Sequence, residues 1–285
     1  MHFNTPLRYP GGKGRLTQFV ANLLEANDLV GGQYVEPYAG GAGIGVSLLM
    51  LEYVQKVHIN DINPSIHAFW ASVLDDTEAI CRRIFNTRVT MAEWRRQRDI
   101  QCDPDASRAE LAFSTFFLNR TNRSGIILGG VIGGKRQCGD WKLDARYNKQ
   151  NLIHRIERIA QRRHRIVLYR KDAAVLIRDV LPKLTQRALV YLDPPYYSKG
   201  RQLYEDRYTA NDHTEIAALT KTIKQQWMVS YDNVRAIREL YKGYRQRRFA
   251  LNYSANTRHA GSEVLIFGDR LSIPRCIHPS RGNVR

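Results

Sequence analysis

Short apolar runs alternate with stretches of helical spacing near both ends of the chain. Runs of about five apolar residues that stop at Gly, Pro, Asn or Asp predict strands, and apolar residues three or four apart predict amphipathic helices. This alternation indicates an α/β domain built on a mainly parallel sheet. The predicted strands are residues 34–36, 56–60, 166–169, 188–192, 227–230, 247–251 and 264–267. The predicted helices are residues 16–25, one beginning near Gly43, 173–181, 212–224 and 234–240.

Residues 66–163 lack this alternation. They are rich in Arg and helical in spacing, and stretches of Gly, Asn and Arg with interleaved aromatics indicate long exposed loops. We therefore predict a discontinuous α/β domain formed by residues 1–65 and 164–270, an inserted and mainly helical module at residues 66–163, and a basic tail at residues 271–285. The expected fold is Rossmann-like and is interrupted by this helical insert.

The charge of the chain points to a polyanionic partner. The net charge is +17 over 285 residues, and residues 81–171 hold 21 Lys and Arg against 8 Asp and Glu. Residues 1–80 hold only 4 Lys and Arg against 8 Asp and Glu, so the positive charge coincides with the predicted insert. Nucleic acid is the most common partner of such a protein, with an anionic membrane surface as the alternative.

Several classes of function are disfavoured by the sequence. The apolar runs are too short to span a bilayer and no signal-peptide pattern opens the chain, so we expect a cytoplasmic protein without membrane attachment. The four Cys include no CxxC pair and the eight His do not cluster at ligand spacing, so no metal is expected. A basic amphipathic helix with aromatic anchors, as a membrane-surface protein needs, is also missing from the pattern.

The first glycine-rich stretch is PLRYPGGKGRL, from Pro6 to Leu16. A phosphate-binding loop needs Gly five residues before its Gly-Lys pair and Ser or Thr after it, and this chain has Leu7 and Gly14 at those positions. NTP hydrolysis is therefore disfavoured. The stretch is interpreted either as a glycine turn that presents Tyr9 and Lys13 or as an ordinary surface turn.

The second glycine-rich stretch, VEPYAGGAGIG, links a predicted strand to a predicted helix. Its glycines allow a ligand to approach the backbone closely, and the helix N-terminus offers free N–H donors. Asp61 ends the next predicted strand, where an acid commonly accepts hydrogen bonds from a ribose. This order of elements predicts a site for a ligand that contains a nucleoside, with a tight turn and a capping Asp as the alternative.

The sequence VYLDPPYYSKG begins as a strand and ends in a stiff turn, because each Pro removes a backbone donor. The turn could hold an exocyclic amino group of a base, which is a poor nucleophile while its lone pair is delocalised. Asp193 and the carbonyl of Pro194 would each accept one N–H, and Tyr196 would stack on the ring. A plain strand-ending turn with a surface Asp is the alternative.

Four ordered motifs, RYPGGK, VEPYAGGAGIG, INDIN and DPPY, make the chain resemble the Dam-like adenine-N6 DNA methyltransferases. The resemblance extends from about Thr5 to Gly268. It implies a Rossmann-like fold that binds S-adenosylmethionine (SAM), interrupted by a target-recognition domain. It implies a catalytic motif formed by Asp193, Pro194, Pro195 and Tyr196. It implies cofactor contacts from Tyr9, Lys13, Glu36, Pro37, Gly40, Asp61, Asp172 and Asp193.

The resemblance also implies double-stranded DNA as the partner, with the adenine flipped out of the duplex. Within the insert only FLNRTNRSG is similar to the family, so no target sequence can be transferred. A monomer is expected, and a cognate restriction endonuclease is a candidate partner. The alternatives are methylation of cytosine N4, RNA or a protein amide, and a catalytically idle DNA-binding protein. The candidate DNA contacts are Arg120, Arg123, Lys135 and Arg136, for phosphates or bases, and Asn119 and Asn122, whose amides could pair with base edges.

Overall fold

The computed structural model describes residues 4–8, 13–198, 208–252 and 260–274. Its internal contacts divide the chain into two units. Lys13–Ile62 and the described part of Arg165–Arg285 form the first, which we call the sheet unit. Asn63–His164 and the described part of Met1–Gly12 form the second, which we call the helical unit.

The sheet unit is built on seven strands in the order β3-β2-β1-β4-β5-β7-β6. The first five strands of this order run parallel to one another, and β7 runs antiparallel between β5 and β6. The order reverses between β1 and β4, which is where open α/β sheets bind ligands. The strands are β1 (Gly32–Glu36), β2 (Val54–Asn60), β3 (Ile166–Tyr169), β4 (Ala188–Leu192), β5 (Gln226–Asp232), β6 (Arg245–Asn252) and β7 (Ala260–Phe267).

The helices have the following bounds in chain order. Those before the inserted region are α1 (Thr17–Ala26), which follows a 3₁₀ turn at Lys13–Leu16, and α2 (Gly43–Met50). The helical unit contains α3 (Pro64–Asp75), α4 (Thr77–Asn86), α5 (Met91–Cys102), α6 (Arg108–Thr121) and α7 (Lys149–Ala160). The sheet unit then continues with α8 (Ala173–Val175), which is extended by a π turn at Leu176–Val180, and with α9 (Ala210–Thr222) and α10 (Arg235–Leu240).

Both faces of the sheet are covered, as strands buried on two sides require. All five residues of β4 are buried, and alternate residues point to opposite faces. On one face Val190 and Val229 join a core with residues of α8 and α9, such as Ile216. On the other face the ring of Phe19 from α1 packs edge-on against Phe267 of β7, with 6.2 Å between centroids.

The helical unit is organised around α6, whose residues from Ala112 to Thr121 are all buried. A capping box starts this helix, because the hydroxyl of Ser107 accepts from the N–H of Glu110 and the Glu110 carboxylate accepts from the N–H of Ser107. The preceding α3 starts at Pro64, with the Asn63 side chain accepting from the next free N–H groups.

The α/β class with its mainly parallel sheet is confirmed, and each predicted strand overlaps an observed one. The observed β5, β6 and β7 are longer at their ends than predicted, because pairing extends strands beyond their apolar centres. Residues 173–181 were predicted as one helix and instead form a short α turn followed by a π turn. Across the described residues, no helix is both long and apolar enough to cross a membrane.

One boundary differs from the prediction. Residues 4–8 were assigned to the α/β domain, but their contacts group them with the helical unit. The physical reason is that side chains from α6 and α7 bind their backbone: Arg120 donates to the Pro6 carbonyl at 2.7 Å, and Arg155 donates to the Thr5 carbonyl at 3.1 Å. The assignment of the insert as a target-recognition domain stays a prediction.

Candidate active site

Four acids lie just past the carboxyl ends of neighbouring parallel strands. Glu36 ends β1, Asp61 follows β2, Asp193 follows β4, and Asp172 lies three residues beyond β3. Since parallel strands end at the same edge of a sheet, these carboxylates gather at the edge that contains the reversal of strand order.

Asp193 contacts both a cation and a hydroxyl group. Its Oδ1 lies 3.0 Å from the Lys13 ammonium and accepts a hydrogen bond from the Ser230 hydroxyl, while 21% of its side chain stays exposed. Burial raises the pKa of Asp193, and the neighbouring Lys13 charge opposes that rise. Pro194 is buried and Pro195 is half-buried, so the backbone that carries the acid is stiff and enclosed.

Lys13 bridges two carboxylates. Its Nζ donates to Glu263 Oε2 at 2.6 Å and lies 3.0 Å from Asp193, with only 12% of the side chain exposed. Burial by itself would lower the pKa of Lys13, but the charges of Asp193 and Glu263 outweigh it and raise that pKa. The ammonium therefore stays charged in the folded protein.

The turn after β4 is pinned from two other strands. The Tyr196 hydroxyl donates to Glu263 Oε1 at 2.6 Å, and the ring is buried. The backbone N–H groups of Tyr197 and Ser198 each donate to a different oxygen of Asp232, at 2.9 Å. The path of the DPPY turn is thus determined by side chains at the end of β5 and on β7.

The glycine turn between β1 and α2 is tied to the acid after β2. The N–H of Gly40 donates to Asp61 Oδ2 at 2.8 Å. Gly40 has a φ of 47° and Ala42 has a φ of 44°, so the turn adopts the left-handed conformation that favours glycine. This geometry brings the backbone of the turn and a half-buried carboxylate side by side at the start of α2.

Glu36 is the most deeply buried acid of the group, at 4% exposure. Its Oε1 accepts from the Tyr34 hydroxyl at 3.3 Å and from the Gly45 N–H at 3.2 Å. Its Oε2 is buried and has no hydrogen-bond partner within the described part of the chain. Burial raises the pKa of Glu36 to about 8. An unpaired buried carboxyl oxygen of this kind is expected where a ligand supplies the missing partner.

Asn60, which sequence reasoning missed, holds the predicted residue Pro37 and also Lys171, the neighbour of the predicted Asp172. Its amide donates to the carbonyls of Pro37 at 2.8 Å and Lys171 at 2.9 Å, and its oxygen accepts from the Lys171 N–H. Asn60 therefore connects the ends of β1, β2 and β3. Its location beside Asp61 in the INDIN motif was the available signal, because a polar residue that ends a buried strand needs a partner.

The remaining predicted cofactor contacts are less defined. Asp172 is exposed, and its Oδ1 accepts from the N–H of Ala174 at 2.8 Å, so it caps α8. Tyr9 lies outside the described residues. No group of three or more His, Cys, Asp and Glu side chains suited to a metal ion occurs in the ranges that the structure describes.

In the helical unit, the predicted base contacts Asn119 and Asn122 are buried at 1% and 0% exposure. The Asn119 amide donates to the carbonyls of Arg8 at 2.6 Å and Gly125 at 2.8 Å, and its oxygen accepts from the Arg8 N–H. The Asn122 amide donates to two backbone carbonyls, and its oxygen accepts from the Trp94 indole at 2.7 Å. The expectation that they pair with base edges is corrected: both N–H donors of each amide are used inside the fold.

Arg120 is corrected for a similar reason. It is 7% exposed and holds Pro6, and burial together with the charges of Arg155 and Arg8 lowers its pKa to about 9. A phosphate could reach little of its surface. The other three predicted DNA contacts, Arg123, Lys135 and Arg136, are exposed and remain candidates.

Arg123 and Lys135 line a basic cleft of about 600 Å³ in the helical unit. The guanidinium of Arg98 lies over the Trp94 ring, 5.1 Å from its centroid, and donates to the carbonyls of Leu128 and Gly129. These hydrogen bonds tie α5, which forms one wall of the cleft, to the glycine-rich loop that forms the opposite wall. Arg95 and Asp99 also line the cleft, so its charged residues are mainly basic. Sequence reasoning missed this contribution from α5.

Three residues of the sheet unit were also missed, namely Ser230, Asp232 and Glu263. Ser230 and Asp232 lie at the carboxyl end of β5, so the rule that found the other acids could have found them. Glu263 lies within an antiparallel strand, where no local signal marks it.

The chain was compared with known structures, curated sequences and protein families. Among solved structures, a conserved hypothetical protein of Streptococcus pyogenes has 10% identity over 84% of this chain and 88% of its own, with a TM-score of 0.35. The rRNA methyltransferase AviRa from Streptomyces viridochromogenes has 13% identity over 88% of this chain and 85% of its own, with a TM-score of 0.36. Curated protein sequences give no significant match. The family described as D12 class N6 adenine-specific DNA methyltransferase matches residues 9–257, and the chain therefore belongs to it.

Proposed function

We propose that the DPPY turn, Asp193 to Tyr196, holds the adenine whose N6 receives the methyl group. The observation that carries this proposal is the environment of Asp193, whose carboxylate Lys13 and Ser230 hold at the carboxyl end of β4. Asp193 would accept one N–H of the amino group and the Pro194 carbonyl the other. Accepting both N–H bonds localises the nitrogen lone pair, and the base would stack on the Tyr196 ring.

Membership of the family makes the chain an adenine-specific DNA methyltransferase. This favours adenine N6 over cytosine N4, over RNA or a protein amide, and over a catalytically idle role. An adenine inside a duplex must leave the stack before any side chain reaches N6, which costs a few kcal/mol. Once the base is held, the rate depends mainly on positioning, and the residues of the turn are pinned accordingly.

We infer that SAM is the methyl donor, which when bound supplies a methyl group on a positively charged sulfur. The unpaired Oε2 of Glu36 fits this cofactor, because the ammonium of its methionine part would favour the ionised carboxylate and supply the donor that this oxygen lacks. Asp61 is suited to the ribose hydroxyls, and the turn at Gly40 allows close approach of the ligand. The other residues proposed to line the cofactor are Tyr9, Lys13, Pro37, Asp172 and Asp193.

We propose the basic cleft of the helical unit as the DNA-contacting surface. Arg123 and Lys135 are exposed there, and Arg95 on α5 adds a third exposed cation. Exposed cations of this kind neutralise phosphates and release counterions, whereas the buried Asn119 and Asn122 cannot. Arg98 shapes the cleft by holding the glycine-rich loop.

The test of the proposed site compares Asp193→Ala with Asp179→Ala, an exposed acid of the same unit. Transfer of a labelled methyl group to duplex DNA should be lost in the first variant and retained in the second. Binding of DNA, measured by fluorescence anisotropy, should be retained in both. Mass spectrometry of the product nucleosides should find N6-methyladenine. Full activity of the Asp193 variant would contradict the assignment.

Three further expectations complete the proposal. We expect the enzyme in the cytoplasm of a bacterial, archaeal or phage-infected cell, because its DNA substrate is accessible there. A monomer suffices, because the proposed catalytic residues come from one chain. A cognate restriction endonuclease would recognise the same DNA sequence, and digestion of methylated and unmethylated host DNA would identify it.

A further inference from the structure

Glu263 is a buried acid on the strand next to one edge of the sheet. It is 1% exposed and lies on β7, opposite Asp232 of β5 on one side and Phe249 of β6 on the other. A carboxylate in such a place is costly unless charged and polar partners surround it. The residues that contact Glu263 therefore indicate its role.

Both oxygens of this carboxylate contact residues of the proposed methyl-transfer site. Oε1 accepts from the Tyr196 hydroxyl and Oε2 accepts from the Lys13 ammonium, each at 2.6 Å. The same ammonium lies 3.0 Å from Asp193 and 5.4 Å from the centroid of the Tyr196 ring. One side chain of β7 thus connects the cation, the ring and the acid of the DPPY turn.

We propose that Glu263 is a positioning residue for methyl transfer, which orients the Tyr196 ring and holds Lys13 against Asp193. The inference rests on the proposed function, in which Asp193 holds N6 and Tyr196 stacks on the base. Glu263 touches neither the base nor the donor in this scheme and acts through the two residues that it contacts.

The hydrogen bond to Glu263 anchors the hydroxyl end of the Tyr196 ring before the base arrives. A tyrosine without an acceptor for its hydroxyl could shift away from that position, and the adenine would then have to order it. Because misplacement by about 1 Å can lower a rate ~10²-fold, this ordering should act on the chemical step.

The contact with Lys13 controls the charge next to Asp193. Two carboxylates share one ammonium, so Lys13 is divided between Glu263 and Asp193 and leaves Asp193 able to accept an N–H. If the Glu263 charge is removed, Lys13 has only Asp193 as its carboxylate partner in this cluster and competes with the base for it. Loss of Glu263 should therefore weaken the hold on N6 even where the ring stays in place.

The experiment separates these two contacts with paired variants. Glu263→Gln removes the charge and keeps an oxygen that can accept from Tyr196, whereas Glu263→Ala removes both. Tyr196→Phe removes only the hydroxyl. Glu239→Gln makes the same charge change at an exposed residue of the sheet unit and is the matched control. The kcat for duplex DNA and the KM for DNA and SAM are measured for each, below its own melting temperature.

We expect kcat to fall about 10-fold in Glu263→Gln and about 100-fold in Glu263→Ala, with KM values changed less than about threefold. Glu263→Ala combined with Tyr196→Phe should be no slower than Glu263→Ala alone, because both remove the same hydrogen bond. Glu239→Gln should match the wild type. If Glu263 only stabilised the fold, its variants would have a lower melting temperature but would not show a fall in kcat at nearly unchanged KM.

Wild-type kcat in both Glu263 variants, with Asp193→Ala inactive, would overturn the inference and leave the proposed function standing. Activity retained in Asp193→Ala would instead contradict the proposed function. If the Glu263 variants fail to fold, Tyr196→Phe decides alone, since it leaves the carboxylate and Lys13 in place. Wild-type kcat in that variant would overturn the part of the inference in which Glu263 orients the Tyr196 ring.

Discussion

The sheet unit and the helical unit both bury polar side chains, but they satisfy them differently. In the sheet unit, Asp193 contacts Lys13 and Ser230 while 21% of its side chain stays exposed. In the helical unit, Asn119 and Asn122 give both amide N–H groups to backbone carbonyls and are essentially unexposed. A group that keeps part of its surface open can bind a ligand, whereas one whose donors are all used stabilises the fold.

Glu36 and Arg120, two buried ionisable groups, show the same difference between the two units. Burial raises the pKa of Glu36 in the sheet unit to about 8, and lowers the pKa of Arg120 in the helical unit to about 9. Glu36 keeps an oxygen with no partner in the described part of the chain, while Arg120 donates to the Pro6 carbonyl. Glu36 can therefore bind a ligand, whereas Arg120 binds the N-terminal segment of the helical unit.

The largest effect is expected for Asp193→Asn. The amide keeps the shape but loses the charge that polarises N6, so methyl transfer should fall ~10³-fold or more. The melting temperature should change little, because Lys13 keeps its contact with Glu263. Labelled methyl transfer and calorimetry on the same preparation check both statements. A large drop in melting temperature with activity intact would mean that Asp193 stabilises the fold and does not bind the ligand, which contradicts the comparison.

Asn119→Ala should show the opposite pattern. It leaves three backbone groups of Arg8 and Gly125 without their partner, so the free energy of unfolding should fall by about 3–4 kcal/mol. Urea unfolding measures this change, and Asn151→Ala on the exposed side of α7 is the control. Stability equal to that control, combined with weaker DNA binding, would restore Asn119 as a DNA contact.

Glu36→Gln should change the pH dependence of stability. The pKa of Glu36 is raised in the folded state, from 4.5 to about 8, so between these values the folded protein binds a proton that the unfolded chain has lost. Stability conferred by that proton is full below pH 4.5 and falls as pH rises toward 8. The wild type should lose about 2–3 kcal/mol more than Glu36→Gln between pH 5 and pH 7. Parallel stability curves for the two proteins would contradict the raised pKa.

The smallest effects are expected in the basic cleft. Arg123→Ala and Lys135→Ala should each weaken DNA binding about fivefold at moderate salt, and each should reduce the slope of log K against log salt by about 1. Arg120→Ala should destabilise the protein and leave that slope unchanged, since its guanidinium is buried. Anisotropy titrations at several salt concentrations measure the slopes. An unchanged slope in both cleft variants would place the DNA elsewhere.

The amino-acid sequence by itself determined the order of strands along the chain, the glycine turn at Gly40, the stiff turn after β4 and the positive charge of residues 81–171. These features are local. Apolar periodicity, proline and glycine act over a few residues, and charge is counted without knowledge of the fold. The family resemblance depended on the same short motifs, and the D12 match confirmed it.

Only the tertiary structure decided how those polar residues are used. Asn119 meets Arg8 across 111 positions of sequence, and Glu263 meets Tyr196 across 67 and Lys13 across 250. The same Asn-Arg stretch could face DNA or bind the chain's own backbone, because its chemistry suits both. Packing of α6 around residues 4–8 buries it, and insertion of β7 beside β5 brings an acid to the DPPY turn, since pairing over such distances depends on which elements become neighbours.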